Sequence, residues 1–193
     1  MNHEGKMKTT ALRQEREELR DLLIKKAYFR EKIILSSGKQ SDYYIDARRV
    51  TLTSQGAYLA GRLMLDAIKD EKIDAIGGPT LGADPLIGAI AVLRLQEGKP
   101  INTFIIRKTP KSHGKQQQIE GPDLKAGSRV VLIDDVATTG QAFCQSIDIL
   151  TRMGVQIVKA ICLVDRQEGA KEAVLGCGCQ FVSIFSASEI HKP

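Results

Sequence analysis

"RVVLIDDVATTGQA", residues 129–142, decides how this chain folds. Four apolar residues, Val130 to Ile133, precede two aspartates and a Thr-Thr-Gly turn, and the apolar stripe Phe143, Ile147, Leu150 that follows has helical spacing. An apolar run without alternation predicts a strand covered on both faces, as in a parallel sheet between helices. A polar cluster at the end of such a strand lies at the carboxyl edge of the sheet, where open α/β folds place ligands. The hydroxyls of Thr138 and Thr139 and the amides of 139–141 could surround a phosphate at the positive end of the next helix, and Gly140 permits close backbone approach. Carboxylates beside that phosphate would repel it, so Asp134 and Asp135 are expected to face ribose hydroxyls or a divalent metal. Strand alternation predicts that one contacts ligand while the other organises the loop. Standing alone, the two acids would equally suit a solvated strand end. The whole unit of strand, Asp-Asp, Thr-Thr-Gly and helix is far more specific.

Outward from this unit, "IDAIGG", "INTFIIR", "VQIVKAICLV" and "CQFVSIF" are further apolar runs separated by helical stretches. Strand and helix in alternation imply parallel pairing through right-handed crossovers, hence an α/β fold with a mainly parallel central sheet flanked by helices. Asp84-Pro85 reads as a helix N-cap with proline at the first helical position, and Gly154 as a helix stop. Upstream, Leu12, Leu19, Leu22, Leu23 and Ala27 predict one amphipathic helix over 12–29, and a further helix is expected from about Gln55 to Lys69. Between them, "EKIILSSGKQSDYYIDARR" predicts a hairpin or extended arm.

The 193 residues, 42% of them hydrophobic, fit one domain with a full core. The 28 basic and 23 acidic residues give a net charge of +5, which suits an anionic partner but is too mild to indicate nucleic acid. Cys144, Cys162, Cys177 and Cys179 have neither framework spacing nor a second Cys/His pair for zinc, so reduced structural thiols are expected. "MNHEGKMKTT" has no apolar core, and the longest apolar run falls far short of the roughly 18 residues of a membrane span. A cytoplasmic protein without membrane partners is expected; Met1 and Met7 are both possible starts. "SSGKQ", "QEGKP" and "SHGKQ" all fail the P-loop pattern, and a receiver domain would carry its acidic pair near the chain start.

With "LSSGKQSDYYIDAR", "GGPTLGADPL", "RKTPKSHGKQQQIEG", "VVLIDDVATTG" and "VDRQEG" together, the chain resembles the type I phosphoribosyltransferases, most closely their orotate-using members. The likeness covers most of the chain, and the first, third and last segments separate orotate enzymes from purine and uracil relatives. It implies a type I phosphoribosyltransferase-like fold over a single domain 1–193. An N-terminal helix and hood would occupy about 1–50, with a core for 5-phosphoribosyl-1-diphosphate (PRPP) over about 51–193 and a flexible catalytic loop.

The same resemblance implies the site. PRPP would be bound by Asp134, Asp135, Val136, Ala137, Thr138, Thr139, Gly140, Gln141 and Ala142, together with Arg107, Lys108, Lys111 and His113 of a loop that closes over the neighbouring subunit of a homodimer. A polar segment of about 15 residues, 108–122, would otherwise read as a solvated loop, although one of that length in a compact domain is often a lid. Orotate would be held by Thr138 and Arg166, with Tyr44 and Ile45 on or near the pyrimidine. Arg166 follows an apolar strand, where its guanidinium could receive a carboxylate through two parallel hydrogen bonds. Departure of diphosphate leaves an oxocarbenium-like centre, so the chemistry needs charge stabilisation more than a nucleophile. Mg²⁺, held mainly through PRPP, would supply it with Lys111 and His113, while Asp134 and Asp135 hold the ribose.

Two positions depart from the commonest bacterial pattern: Ser36 and Gly82 stand where many members carry lysine. Lys39 could compensate for the first, and the glycine-rich 77–82 segment still offers backbone amides. The implied activity is conversion of orotate and PRPP to orotidine 5′-phosphate and diphosphate in pyrimidine nucleotide synthesis. Transfer to another base, or a PRPP-binding regulator on the same fold, are the alternatives. The basic residues gather in the presumed lid and no helix-turn-helix is apparent, so small-molecule substrates and no nucleic acid are expected.

Overall fold

The computed structural model describes residues 3–34, 40–109 and 118–191, with side chains from residue 10 onward except that of residue 34. The chain opens on α1 (His3–Leu22), which continues into a π-helical stretch, Leu23–Ala27. Leu19, Leu23 and Ala27, spaced by four, are fully buried and form the inward face read from the sequence. Four two-residue strands follow: β1 (Tyr28–Phe29), β2 (Ile33–Ile34), β3 (Gln40–Ser41) and β4 (Tyr44–Ile45). β2 pairs antiparallel with β3, and β1 with β4. The expected hairpin is thus nested within a second antiparallel pair. α2 (Arg48–Thr51) and α3 (Ser54–Ala67) complete the N-terminal part, with Thr53 capping α3 by accepting the Gly56 N–H at 3.1 Å.

The remaining elements are β5 (Ala75–Pro79), α4 (Asp84–Gln96), β6 (Asn102–Ile106), β7 (Ile119–Glu120), β8 (Arg129–Ala137), α5 (Gln141–Arg152), β9 (Gln156–Asp165), α6 (Ala170–Gly176), β10 (Phe181–Ser186) and α7 (Ala187–Ile190). Six strands form one sheet in the order β10-β9-β8-β5-β6-β7, parallel throughout except for β7 at the edge. Every apolar run read as a strand is one. β7 was not foreseen: segment 108–122, read as a continuous loop, returns along β6 through Ile119 and Glu120 before it ends. Two residues carry too little periodicity to announce a strand.

The unbroken apolar run of β8 has its reason in the layers. Val131 and Ile133 pack with Leu19, Met64, Leu86 and Ile90 beneath α1, α3 and α4, whereas Val130 and Leu132 pack with Phe143, Ile147 and Leu150 of α5. Alternate residues enter opposite cores, so neither set can be polar. At α4 the expected cap shifts by one residue. Ala83 occupies the N-cap, Asp84 is the first helical residue, and the Asp84 carboxylate accepts the Thr80 hydroxyl at 2.8 Å. α5 ends where the glycine predicted, with Met153 at the C-cap and Gly154 at φ +75°. Among the described residues, no helix is long and apolar enough to cross a membrane.

Candidate active site

The carboxyl ends of β5, β6 and β8, the start of α5 and the N-terminal strands enclose a cavity of about 840 Å³. Its wall includes Tyr44, Ile45, Arg107, Lys108, Asp134, Asp135, Val136, Arg166 and the run Thr138 to Ala142. Residues from five separate segments therefore meet where the sheet geometry predicts a ligand. Ala137 does not line the cavity; it is buried beneath the loop, and its carbonyl accepts the Arg166 N–H at 2.9 Å. Lys111, His113, Ser36 and Lys39 lie outside the described residues.

The loop after β8 is shaped by Gly140. It stands at the N-cap of α5 with φ +78°, and a Cβ there would sit 2.9 Å from the Ala170 carbonyl oxygen and 3.2 Å from the Ala173 Cβ. Conformation and space both require glycine. The run from Thr138 to Ala142 lines the cavity at the N-terminus of α5, the end of a helix that favours an anion.

Asp134 and Asp135 do not divide between two faces as alternation predicts. A Cβ built on Gly82 would lie 2.2 Å from Asp135 Oδ1 and 2.7 Å from Asp134 Oδ1, so both carboxylates reach the same turn after β5. Each folds back on its own backbone: Asp134 Oδ1 accepts the Asp135 N–H at 2.9 Å, and Asp135 Oδ1 accepts the Val136 N–H at 2.7 Å. Gly82 is thus more than a missing lysine, because the space of a side chain is occupied by the acidic pair. Burial, then the charge of Asp135, pushes the Asp134 carboxyl well above the usual carboxylate range, and burial also raises Asp135. Lys108 opposes the first shift and Arg48 the second. Arg48, which sequence reading passed over, lines the cavity with its Nε 2.8 Å from Asp46 Oδ1, and this pairing holds its proton more firmly than usual.

A raised folded pKa means the folded protein keeps a proton that the unfolded chain has already released. Stability therefore falls as pH rises from the usual carboxylate range through the raised value. In Asp134→Asn the amide oxygen still accepts the Asp135 N–H, but no charge is buried. We expect this variant to be more stable than the parent by about 1 kcal/mol near neutral pH, with the gain vanishing below about pH 4. Urea unfolding across that pH range measures it; an asparagine variant less stable at every pH would refute the burial cost.

The fit to a divalent cation follows from the same groups. Among the described residues, no cluster of three or more His, Cys, Asp or Glu could hold a metal ion alone. The paired, disfavoured charges of Asp134 and Asp135 nevertheless suit a cation brought in by a polyanionic ligand.

Arg166 is the most tightly held charge in the cavity, its residue only 4% exposed. Its Nε donates to Glu168 Oε1 at 2.8 Å, its Nη2 donates to Ser41 Oγ at 3.0 Å, and its Cζ lies 4.5 Å above the Tyr43 ring. Tyr43 stacks on Tyr28, whose hydroxyl meets His191 Nδ1 at 2.7 Å. Ser41, Tyr43 and Glu168 escaped sequence reading; only Glu168, two residues beyond Arg166, carried a local signal. Arg107 stands where segment 108–122 begins, its N–H donating to the Gln118 carbonyl at 2.8 Å and its guanidinium 3.4 Å from Glu120.

Comparison with known proteins agrees with this geometry. Residues 51–178 match the family model of the phosphoribosyl transferase domain. An orotate phosphoribosyltransferase of Synechocystis sp. is 41% identical over 186 residues, covering 96% of this chain and 93% of that protein. The crystal structure of Mycobacterium tuberculosis H37Rv orotate phosphoribosyltransferase with Fe(III) dicitrate has a TM-score of 0.80 at 35% identity, covering 92% of this chain and 99% of that one. The same enzyme in complex with PRPP has a TM-score of 0.76 at 33% identity, covering 91% and 98%. The chain belongs to the phosphoribosyl transferase family and, within it, to the orotate phosphoribosyltransferases.

Proposed function

We propose that this chain transfers the 5-phosphoribosyl group of PRPP to orotate, releasing diphosphate and forming orotidine 5′-phosphate on the route to UMP. The observation that carries this reading is the buried Arg166 guanidinium on the same cavity as the N-terminus of α5. One ligand must present a phosphate, and the other a compact anion matched to a planar cation. Orotate's carboxylate meets the second demand; uracil and hypoxanthine do not.

The amides and hydroxyls of 138–142 bind the phosphate, and Asp134 and Asp135 orient the ribose through its hydroxyls. Arg166 and Thr138 fix orotate, with Tyr44 and Ile45 against the ring. The C1′–oxygen bond to diphosphate breaks as the bond from the orotate ring nitrogen to C1′ forms, and positive charge develops at the sugar between these events. Lys111 and His113 neutralise or protonate the departing diphosphate. A bound Mg²⁺ would supply further neutralisation of that charge, with Asp134 and Asp135 the carboxylates placed beside it. The active unit is a homodimer whose loops act in trans, a reading supported by Leu81 in the turn before α4, Val92 and Leu95 on α4, and Leu52 at the end of α2, which expose large apolar side chains.

The direct test is loss of orotate absorbance with PRPP and Mg²⁺, beside uracil and hypoxanthine as competing bases. Turnover of orotate alone is expected. A folded dimer that consumes no orotate, or one that binds nucleic acid tightly without turnover, would overturn the assignment.

A further inference from the structure

Two thiols lie outside the chemistry described so far. Cys144 stands in the first turn of α5, half-buried, where its N–H donates to the Gly140 carbonyl at 2.9 Å. Cys177 caps the end of α6 and is exposed. Their sulfurs are 2.8 Å apart. Both residues are fixed by helices already packed together, since the Cys144 sulfur also reaches the Ala173 carbonyl at 3.5 Å and Gly140 abuts Ala170 and Ala173. A disulfide needs a sulfur separation of about 2.05 Å, so closing the bond asks for a movement of less than about 1 Å.

We propose that Cys144 and Cys177 are a redox modification site that forms a reversible intrachain disulfide by exchange with a small-molecule disulfide. The exposed Cys177 is the entry thiol. Its thiolate attacks one sulfur of the small disulfide, whose S–S bond breaks to release one equivalent of thiol and leave a mixed disulfide on Cys177. The Cys144 thiolate then attacks the Cys177 sulfur, expelling the second thiol. The balance is one protein dithiol and one small disulfide in, one protein disulfide and two small thiols out. A dithiol reductant reverses it.

The order of the two steps has a physical basis. Burial, followed by the hydrogen bond and charge of Cys177, pushes the Cys144 thiol up to about 12, so Cys144 is a poor first nucleophile. Once Cys177 is capped, its thiolate charge is gone, and that part of the barrier to ionising Cys144 goes with it. The other two cysteines are set apart. Cys162 is fully buried in β9, and Cys179 is buried with its thiol donating to the Gln180 carbonyl at 3.4 Å. All four thiols are reduced in the structure, as the sequence leads one to expect, but only Cys144 and Cys177 lie within reach of each other.

The bond would tie the turn that carries the phosphate cradle to the helix that follows Arg166, joining positions 33 residues apart. The test uses the whole folded protein incubated with oxidised glutathione, alkylated, digested and analysed by mass spectrometry. The expected product is a peptide pair linked through Cys144 and Cys177, reversed by dithiothreitol, with two of the four thiols lost. The oxidised protein should melt higher, by on the order of 10 °C. Cys144→Ser should retain glutathione on Cys177, Cys177→Ser should take up none at Cys144, and Cys179→Ser should still form the link. A mixed disulfide that persists on Cys177 of the parent protein, a Cys177–Cys179 bridge, or a bridge between two chains would each overturn the proposal.

Discussion

Arg166→Ala is expected to lower kcat/KM for orotate by two to three orders of magnitude, about 2.7–4 kcal/mol of transition-state stabilisation, while the KM for PRPP changes little. The size follows from burial. A guanidinium shielded from water, and already oriented by Ser41, Tyr43 and Glu168, gives up little freedom when it receives a carboxylate. Part of the damage would fall on the fold, because Glu168 would lose its partner while Glu168 Oε2 is already buried without one. Arg166→Ala combined with Glu168→Gln removes that unpaired charge and separates the two effects: folding recovers, orotate use does not. Arg166→Lys should remain impaired, since a point charge replaces the planar fork. Steady-state kinetics with each substrate varied, beside urea unfolding, reads all three variants. Equal losses for orotate and PRPP would remove Arg166 from the base site.

Gly78→Ala should be among the most damaging single-methyl changes in the molecule. A Cβ at this position would sit 1.9 Å from the Ile133 carbonyl oxygen and 2.9 Å from the Ala83 Cβ. The obstacle is backbone, so no rotamer change relieves it, and β5 must move away from β8. Such overpacking costs about 3 kcal/mol or more, or roughly 6–12 °C in melting temperature for a domain of this size. Ile133 immediately precedes Asp134, so the displaced strand end carries the acidic pair and PRPP binding should weaken as well. Thermal unfolding with PRPP titration measures both consequences. A folded variant with unchanged melting and PRPP affinity would show that the strands can separate there at little cost.

How much of this was legible in the sequence differs by residue. The strand from Val130 to Ile133 and the cluster after it were readable because burial on two faces forces a continuous apolar run, and a strand end forces a change of polarity. Arg166 was readable for the same reason, as a charge just past another apolar run. Its setting was not: Ser41 meets it across 125 residues of chain, and Tyr43 is one of six consecutive polar or aromatic residues, Lys39 to Tyr44, with nothing to mark which faces the guanidinium. The shared orientation of Asp134 and Asp135 was also hidden, since alternation assigns faces along a strand but does not anticipate carboxylates that fold back on their own backbone. Gly82 looked like a loss of charge, but only the carboxylates of Asp134 and Asp135 beside it reveal that it makes room. Cys144 and Cys177 have a spacing that matches no framework; α5 and α6 bring them together.

β8 is paired on both sides, with β5 and β9, and covered on both faces. Backbone amides in such a strand are the last to exchange with solvent, because exposing them requires the whole sheet to open. The acidic pair and the phosphate loop thus hang from the slowest-opening part of the molecule, whereas the N-terminal wall that holds Tyr44 and Ile45 is built from two-residue strands. On the proposed assignment of ligands, the PRPP side of the cavity should persist through local fluctuations that loosen the Tyr44–Ile45 wall against the orotate ring, which would make an ordered sequence of ligand entry a property of the architecture.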